Sequence, residues 1–295
     1  MLSRRRFLQA GAAALVAAGA APAIEPVRRT GKPQMRLSLA AYSYRKYLDL
    51  KLKPRPMTLE DFVDVAAEMG LDAVEPTAYY FDDTSPAYLS RLKARCTRLG
   101  LDVSGTAVGN NFCVAEADKL KAQVDSVKQW VERASILGCK TIRIFAGTVP
   151  RGEAEEKARA RCVGAIEEAC DHAAKYGVYL ALENHGGITA TADQILAIVK
   201  AVKHDFFGVN LDTGNFHTSD PYADLARLAP YAVTAQVKTE IQRAGKAKEE
   251  ADMGKLIDIL RAVNYRGYVA LEYEAAEEPK TAVPRHLAAL RKLLG

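Results

Sequence analysis

The chain has 295 residues, with 41 Lys and Arg against 36 Asp and Glu, a formal net charge of +5. Residues 1–33 carry six of the basic side chains (Arg4, Arg5, Arg6, Arg28, Arg29, Lys32) and one acid, Glu25, so the remainder balances at 35 against 35. A neutral body excludes nucleic-acid binding by bulk charge, because a phosphate-tracking surface needs a net basic field. Hydrophobic residues at 49% and charged residues at 26% exclude a disordered chain.

Residues 1–23 read as an export signal. Ser3-Arg4-Arg5-Arg6-Phe7-Leu8-Gln9 precedes an Ala-rich apolar run from Ala10 to Ala21, and Ala21-Pro22-Ala23 fits a small-x-small cleavage site. The run is too short for a permanent membrane anchor, since a spanning helix needs about 20 residues. The arginine pair before x-Phe-Leu resembles a twin-arginine signal, which implies the Tat export machinery as a partner and a periplasmic, bacterial location. Residues 24–35, with Pro26, Gly31 and Pro33, read as a loose leader. The cysteines (Cys96, Cys113, Cys139, Cys162, Cys170) are odd in number and lack C-x-x-C or zinc-site spacing, so they read as small buried hydrophobes.

From Leu37 onward, short apolar runs alternate with amphipathic helical patterns in eight pairs. The strands are predicted near 37–42, 72–77, 102–107, 140–146, 178–184, 207–212, 232–238 and 267–273. The helices are predicted at 58–69, 86–99, 116–137, 154–176, 191–202, 221–229, 252–263 and 280–294. Gly70, Gly100, Gly138 and Gly177 stand where helices should stop. Along the strands one face is aliphatic (Ile142, Ile144; Leu180, Leu182; Val209, Leu211; Val269, Leu271). The other is small or polar (Thr141, Arg143; Ala181, Glu183; Asn210, Asp212; Ala270, Glu272). A doubly wound open sheet needs apolar residues on both faces. A closed barrel turns only the aliphatic face toward its helices, so the fold expected is α/β, a single-domain (β/α)8 TIM barrel over residues 36–295. No glycine-rich nucleotide-binding loop is present.

Chemistry in such a barrel sits where strands end and βα loops begin. Parity points Glu183, Asp212, Gln236 and Glu272 inward at the ends of strands five to eight. Converging carboxylates repel unless a cation neutralises them, and an oxygen-rich set with one amide suits Mn²⁺ or Mg²⁺, with Co²⁺ or Zn²⁺ as alternatives. The other reading pairs each acid with an interior cation such as Lys238 or Arg143. Around this set, His185, Asn215, His217, Lys238 and Glu75 are candidates for substrate binding.

Over residues 36–294 the chain resembles the xylose-isomerase-like superfamily of sugar isomerases and epimerases. The resemblance implies a divalent metal on Glu, Asp, His and Glu after strands five to eight, matched here by Glu183, Asp212 and Glu272. Many members carry His-x-Lys-Asp on strand seven, where this chain reads Gln236-Val237-Lys238-Thr239, and a histidine where it has Asn215. The implied activity is a metal-dependent isomerase or epimerase of an unphosphorylated sugar, with Glu183 and Glu272 as catalytic groups moving a proton through an enediolate. Alternatives are a dehydratase (lyase) of a keto-sugar or inosose, and a non-catalytic carbohydrate-binding barrel. An endonuclease-like activity on DNA needs further histidines that Asn215 and Gln236 replace. Relatives often dimerise or tetramerise, so the resemblance also implies a homo-oligomer.

The signal carries its own prediction. Changing Arg4 and Arg5 together to Lys should hold a tagged precursor in the cytoplasm of a bacterial host; fractionation that still finds the variant exported would reject the twin-arginine reading.

Overall fold

Eight parallel strands alternate with eight outer helices in the computed structural model, which describes residues 24–295. The export signal expected at residues 1–23 lies outside the described residues. The strands are β1 (Gln34–Ala40), β2 (Ala73–Glu75), β3 in two segments (Asp102–Val103 and Thr106–Ala107), β4 (Thr141–Ile144), β5 (Tyr179–Glu183), β6 (Phe207–Asp212), β7 (Ala232–Val237) and β8 (Arg266–Leu271). The helices following them are α1 (Leu59–Glu68), α2 (Pro86–Arg98), α3 (Ala117–Leu137), α4 (Glu155–Lys175), α5 (Ala192–Val199), α6 (Pro221–Leu228), α7 (Met253–Ala262) and α8 (Pro279–Leu294). None of the described helices is long and apolar enough to cross a membrane.

The sheet runs in parallel register from β2 through β1, β8, β7, β6 and β5 to β4. The first segment of β3 pairs with β2 and the second with β4. A parallel bridge between Thr77 and Ala107 completes the ring. The predicted aliphatic face is the one buried against the helices: Ile142, Ile144, Leu180, Leu182, Val209, Leu211, Val269 and Leu271 share one apolar cluster with Val131, Ile166, Ile195, Leu225, Leu256 and Leu287 of the helices. Each completely buried aliphatic side chain of this kind contributes about 1.5–3 kcal/mol relative to exposure. All five cysteines are buried and unpaired.

Three expectations are corrected. Strand β1 starts at Gln34, inside the presumed leader, and ends at Ala40, where a 3-10 turn over Ala41–Tyr44 begins. The leader is fastened rather than loose: Ile24 and Val27 donate their N–H groups to Val202 and Pro230, and Arg29 bonds the Ala232 carbonyl while lying 5.2 Å from the Tyr265 ring centre. Arg266 donates to the Lys32 carbonyl at 2.8 Å, so the segment closes the N-terminal face of the barrel. The stretch after strand seven, where the sequence pattern gives only a long loop with Arg243 as a solvated charge or a group closing over substrate, is a β-hairpin, Glu240–Gln242 against Lys248–Glu250, with Arg243 paired to Glu249 within it.

The loops after β4 and β5 are locked together at two glycines. Gly187 has φ +52°, and a Cβ there would lie 2.1 Å from the Gly147 carbonyl oxygen, the same oxygen that accepts from the Ile188 N–H at 3.1 Å. We predict that Gly187→Ala costs about 2–4 kcal/mol in urea unfolding, because backbone rather than a flexible side chain blocks the new methyl. Gly177→Ala, at φ +66° with no atom within 4 Å, should cost only about 1 kcal/mol. Equal losses would show that the loop contact carries no weight.

Candidate functional site

Strands β5 and β6 are tied at their C-terminal ends by Asn184. Its amide nitrogen donates to the Asp212 carbonyl at 2.8 Å, and its oxygen accepts the Asp212 N–H at 3.0 Å. This exchange fixes the depth of Glu183, which directly precedes Asn184, and of Asp212, whose own backbone makes both contacts. Glu183 is buried and its carboxylate is met from three sides: Arg143 Nε lies 2.8 Å from Oε2, Asn215 Nδ2 donates to Oε1 at 2.8 Å, and Asn210 Nδ2 approaches Oε2 at 3.4 Å. The Arg143 guanidinium also donates to the Val108 carbonyl at 2.8 Å and lies 3.9 Å from the Phe145 ring centre, so its direction is set by contacts other than the acid.

Gln236 bridges across the barrel. Its Nε2 donates to Glu75 Oε1 at 2.5 Å, and its Oε1 accepts from Asn210 Nδ2 at 2.6 Å. Lys238, one step beyond β7, places its ammonium 2.9 Å from Glu274 Oε1, 3.4 Å from Asp212 Oδ2 and 3.5 Å from Glu272 Oε1. The Lys238 N–H is held by Thr213 Oγ1 at 2.9 Å, and the Thr213 N–H by the Gln236 carbonyl at 3.0 Å. Lys238, Glu274, Asn215 and His217 line a cavity of about 140 Å³ that opens on this face of the barrel. His185 lies on a neighbouring cavity with Asn215 and His217, its ring 4.4 Å from that of Phe145.

Burial governs the protonation of the acids. Loss of water raises the Glu75 carboxyl to about 7, helped by the charge of Glu272 and opposed by the Gln236 hydrogen bond. Burial likewise raises Asp212 to about 7, against the pull of Lys238. Glu183 and Glu272 are pushed upward by the same loss of water, with Arg143 and Lys238 respectively resisting. Burial works against the charge on Lys238, but Asp212, Glu272 and Glu274 outweigh it and hold the ammonium well above the usual lysine range. His185 is lowered by partial loss of water, then by Arg143 and Lys238.

Glu75, Glu183, Asp212, Gln236, Lys238 and Glu272 are thus buried at one end of the barrel, with Asn215 half-buried beside them and His185 and His217 exposed at the mouth. The four residues expected to hold a divalent ion are each engaged by neighbouring side chains in this arrangement. Gln236 has both ends of its amide committed to Glu75 and Asn210, and both oxygens of Glu183 face donors. Among the described residues no three His, Cys, Asp or Glu side chains are grouped to hold a metal. Lys238 and Arg143 form interior ion pairs with these acids. Glu274 and Asn210 were not singled out from the sequence. Asn210 shares the inward parity of Asp212, which would have found it; Glu274 lies beyond the strand, where parity has no meaning.

The model of the family described as xylose isomerase-like TIM barrel matches residues 63–293. No curated protein matches the sequence. Among solved structures, a D-psicose 3-epimerase in the presence of D-fructose superposes with a TM-score of 0.72 at 19% identity, covering 88% of this chain and 100% of that one. An L-ribulose 3-epimerase gives 0.72 at 18% identity, covering 88% and 95%. The IOLI protein with a bound zinc atom gives 0.69 at 20% identity, covering 88% and 96%. At these identities the likeness shows the shared fold.

The raised Glu75 carboxyl makes stability depend on pH. An acid whose folded pKa of about 7 exceeds its unfolded value, about 4.3, stabilises fully below the latter and loses that contribution as pH rises through the former. Glu75→Gln keeps an oxygen for Gln236 but cannot ionise. We predict that urea midpoints of the native protein fall between about pH 5 and pH 8 and that Glu75→Gln flattens this fall. Parallel curves for the two proteins would place the Glu75 pKa elsewhere.

Proposed function

Because the chain belongs to the xylose isomerase-like TIM-barrel family, we propose that it is a sugar isomerase or epimerase that moves a proton at the carbon next to a carbonyl. The observation that carries this reading is the pair Glu183 and Glu272. They are buried carboxyls at the ends of β5 and β8, strands three apart around an eight-strand ring, beside the cavity lined by Lys238 and Asn215. Burial lifts both carboxyls, so near neutral pH one can hold a proton while the other accepts one, which is what a base and its returning acid require. If the two act on opposite faces of the substrate carbon the product is an epimer; if the proton travels to the neighbouring carbon an aldose and a ketose interconvert. An export signal favours an unphosphorylated sugar, as sugar phosphates are mostly cytoplasmic.

Each residue of the network has a role in this reading. Arg143 and Asn215 fix the direction of Glu183. Asn215 and His217, on the cavity wall, supply donors and acceptors for substrate hydroxyls. His185, its ring tilted by 42° against that of Phe145 at the mouth, adds a ring on which an apolar sugar face can rest.

The test is solvent proton exchange. In deuterated water, NMR of a ketose panel with the wild type should show label entering beside the carbonyl. Glu272→Gln should slow that entry by about 10²–10⁴ while the circular dichroism and melting curve stay native-like, because an amide cannot take the proton. Unchanged exchange in Glu272→Gln would remove it from the base role, and an absence of exchange for every sugar in the wild type would favour the binding-protein alternative.

A further inference from the structure

The centre holds four carboxylates within reach of two cations, and the way those cations are seated has a chemical consequence. Gly214 leaves room for Lys238: a Cβ on Gly214 would lie 2.8 Å from Lys238 Cδ and 2.9 Å from its Cβ. The Lys238 backbone is fixed by Thr213, and its ammonium sits between acids from β6 and from the chain just beyond β8. That ammonium also reaches the cavity wall. Lys238 is therefore a cation built into the place where β6, β7 and β8 converge on the substrate space.

A divalent ion would need several free oxygen or nitrogen donors at about 2.0–2.6 Å. The structure withholds them. Gln236 is turned to Glu75 and Asn210, Glu183 is turned to Arg143 and Asn215, and Glu272 faces Lys238. The contrary pointers are two buried oxygens that accept no hydrogen bond, Asp212 Oδ2, with Lys238 3.4 Å away, and Asn210 Oδ1. Two oxygens, one of them a neutral amide and the other beside the Lys238 ammonium, fall short of the six or more donors a hard divalent cation takes.

We propose that this centre works without a divalent ion, and that the ammonium of Lys238 stabilises the oxygen on which charge develops. The proposal rests on the proton-transfer reading above. A carboxylate takes the proton from the carbon beside the carbonyl; the C–H electron pair becomes the carbon–carbon double bond, and the carbonyl π pair moves to oxygen, which accepts a hydrogen bond from Lys238. Return of a proton to carbon restores the carbonyl and regenerates the carboxylate, so atoms and electrons balance without a co-reactant. A preorganised donor aimed at a developing oxyanion is worth about 10²–10³ in rate.

The full chain, stripped with EDTA and desalted, is titrated with Mn²⁺ by calorimetry, with free Mn²⁺ followed by electron paramagnetic resonance. We expect binding no tighter than on the order of 1 mM for the wild type. In the double variant Gln236→His with Lys238→Gln, which supplies an imidazole and removes the ammonium, affinity should be greater by about 10²-fold. A stoichiometric wild-type site in the micromolar range overturns the proposal. In the same stripped protein, α-proton exchange on the sugar panel should persist in EDTA, and Lys238→Gln should lower its rate by about 10²–10³ with KM little changed. Exchange that appears only with Mn²⁺, or that survives Lys238→Gln intact, also overturns it. Should no sugar exchange under any condition, the proton-transfer reading falls, and with it the role of Lys238, while the titration still decides whether the site takes an ion.

Discussion

A carboxylate taken out of water must be met by a cation, by hydrogen-bond donors or by a proton, and the polar end of this barrel is arranged around that requirement. All three answers occur within a few ångströms. Arg143 and Asn215 meet Glu183, Lys238 meets Asp212, Glu272 and Glu274, and Glu75 is lifted to about 7 while it accepts from Gln236. Each solution constrains the next. Gln236 can donate to Glu75 only with its oxygen turned to Asn210, and Asn210 then has its amide nitrogen directed toward both Gln236 and Glu183. A change at any member leaves a buried polar group without a partner, at a cost of about 1–3 kcal/mol. The helices and apolar strand faces hold this network in register; they do not determine its chemistry.

The scaffold was legible because its signal repeats. Aliphatic residues at every second strand position and glycines at the helix ends recur in unit after unit, and the observed β4 to β8 fall within a few residues of their predicted ranges. Inward parity then brought Glu183, Asp212, Gln236 and Glu272 to one end, where the structure buries them together. Partner choice was not legible. Parity says which way a side chain leaves the strand, not which rotamer it adopts or which neighbour it meets. Nothing local in Gln236-Val237-Lys238-Thr239 reveals that the amide crosses to Glu75, 161 positions earlier, or that Lys238 packs on Gly214 to meet Glu272 and Glu274 just beyond β8. The docking of Ile24 and Arg29 on the N-terminal face escaped for the same reason: it depends on Val202, Ala232 and Tyr265, which come together only once the ring closes.

The departures from the resembling family's pattern acquire a common physical sense in this network. Where many relatives place histidines, the chain has Asn215 and Gln236. A neutral imidazole offers one lone pair to a metal and one N–H to a partner, and it changes charge near pH 6.5. A side-chain amide carries two N–H donors and an acceptor oxygen, and it does not titrate. Asn215 and Gln236 turn those N–H groups toward Glu183 and Glu75, two acids that a metal-bound imidazole could not serve in the same way. The resemblance implies a nitrogen ligand to a metal at the Gln236 position and a substrate contact at the Asn215 position, whereas here both amides give hydrogen bonds to buried acids beside Arg143 and Lys238. The two replacements are coupled through Asn210, which approaches both Gln236 and Glu183, so reverting one alone would disturb the partner of the other. On that argument the amides, Arg143 and Lys238 form one network, in which buried acids are answered by groups of the polypeptide.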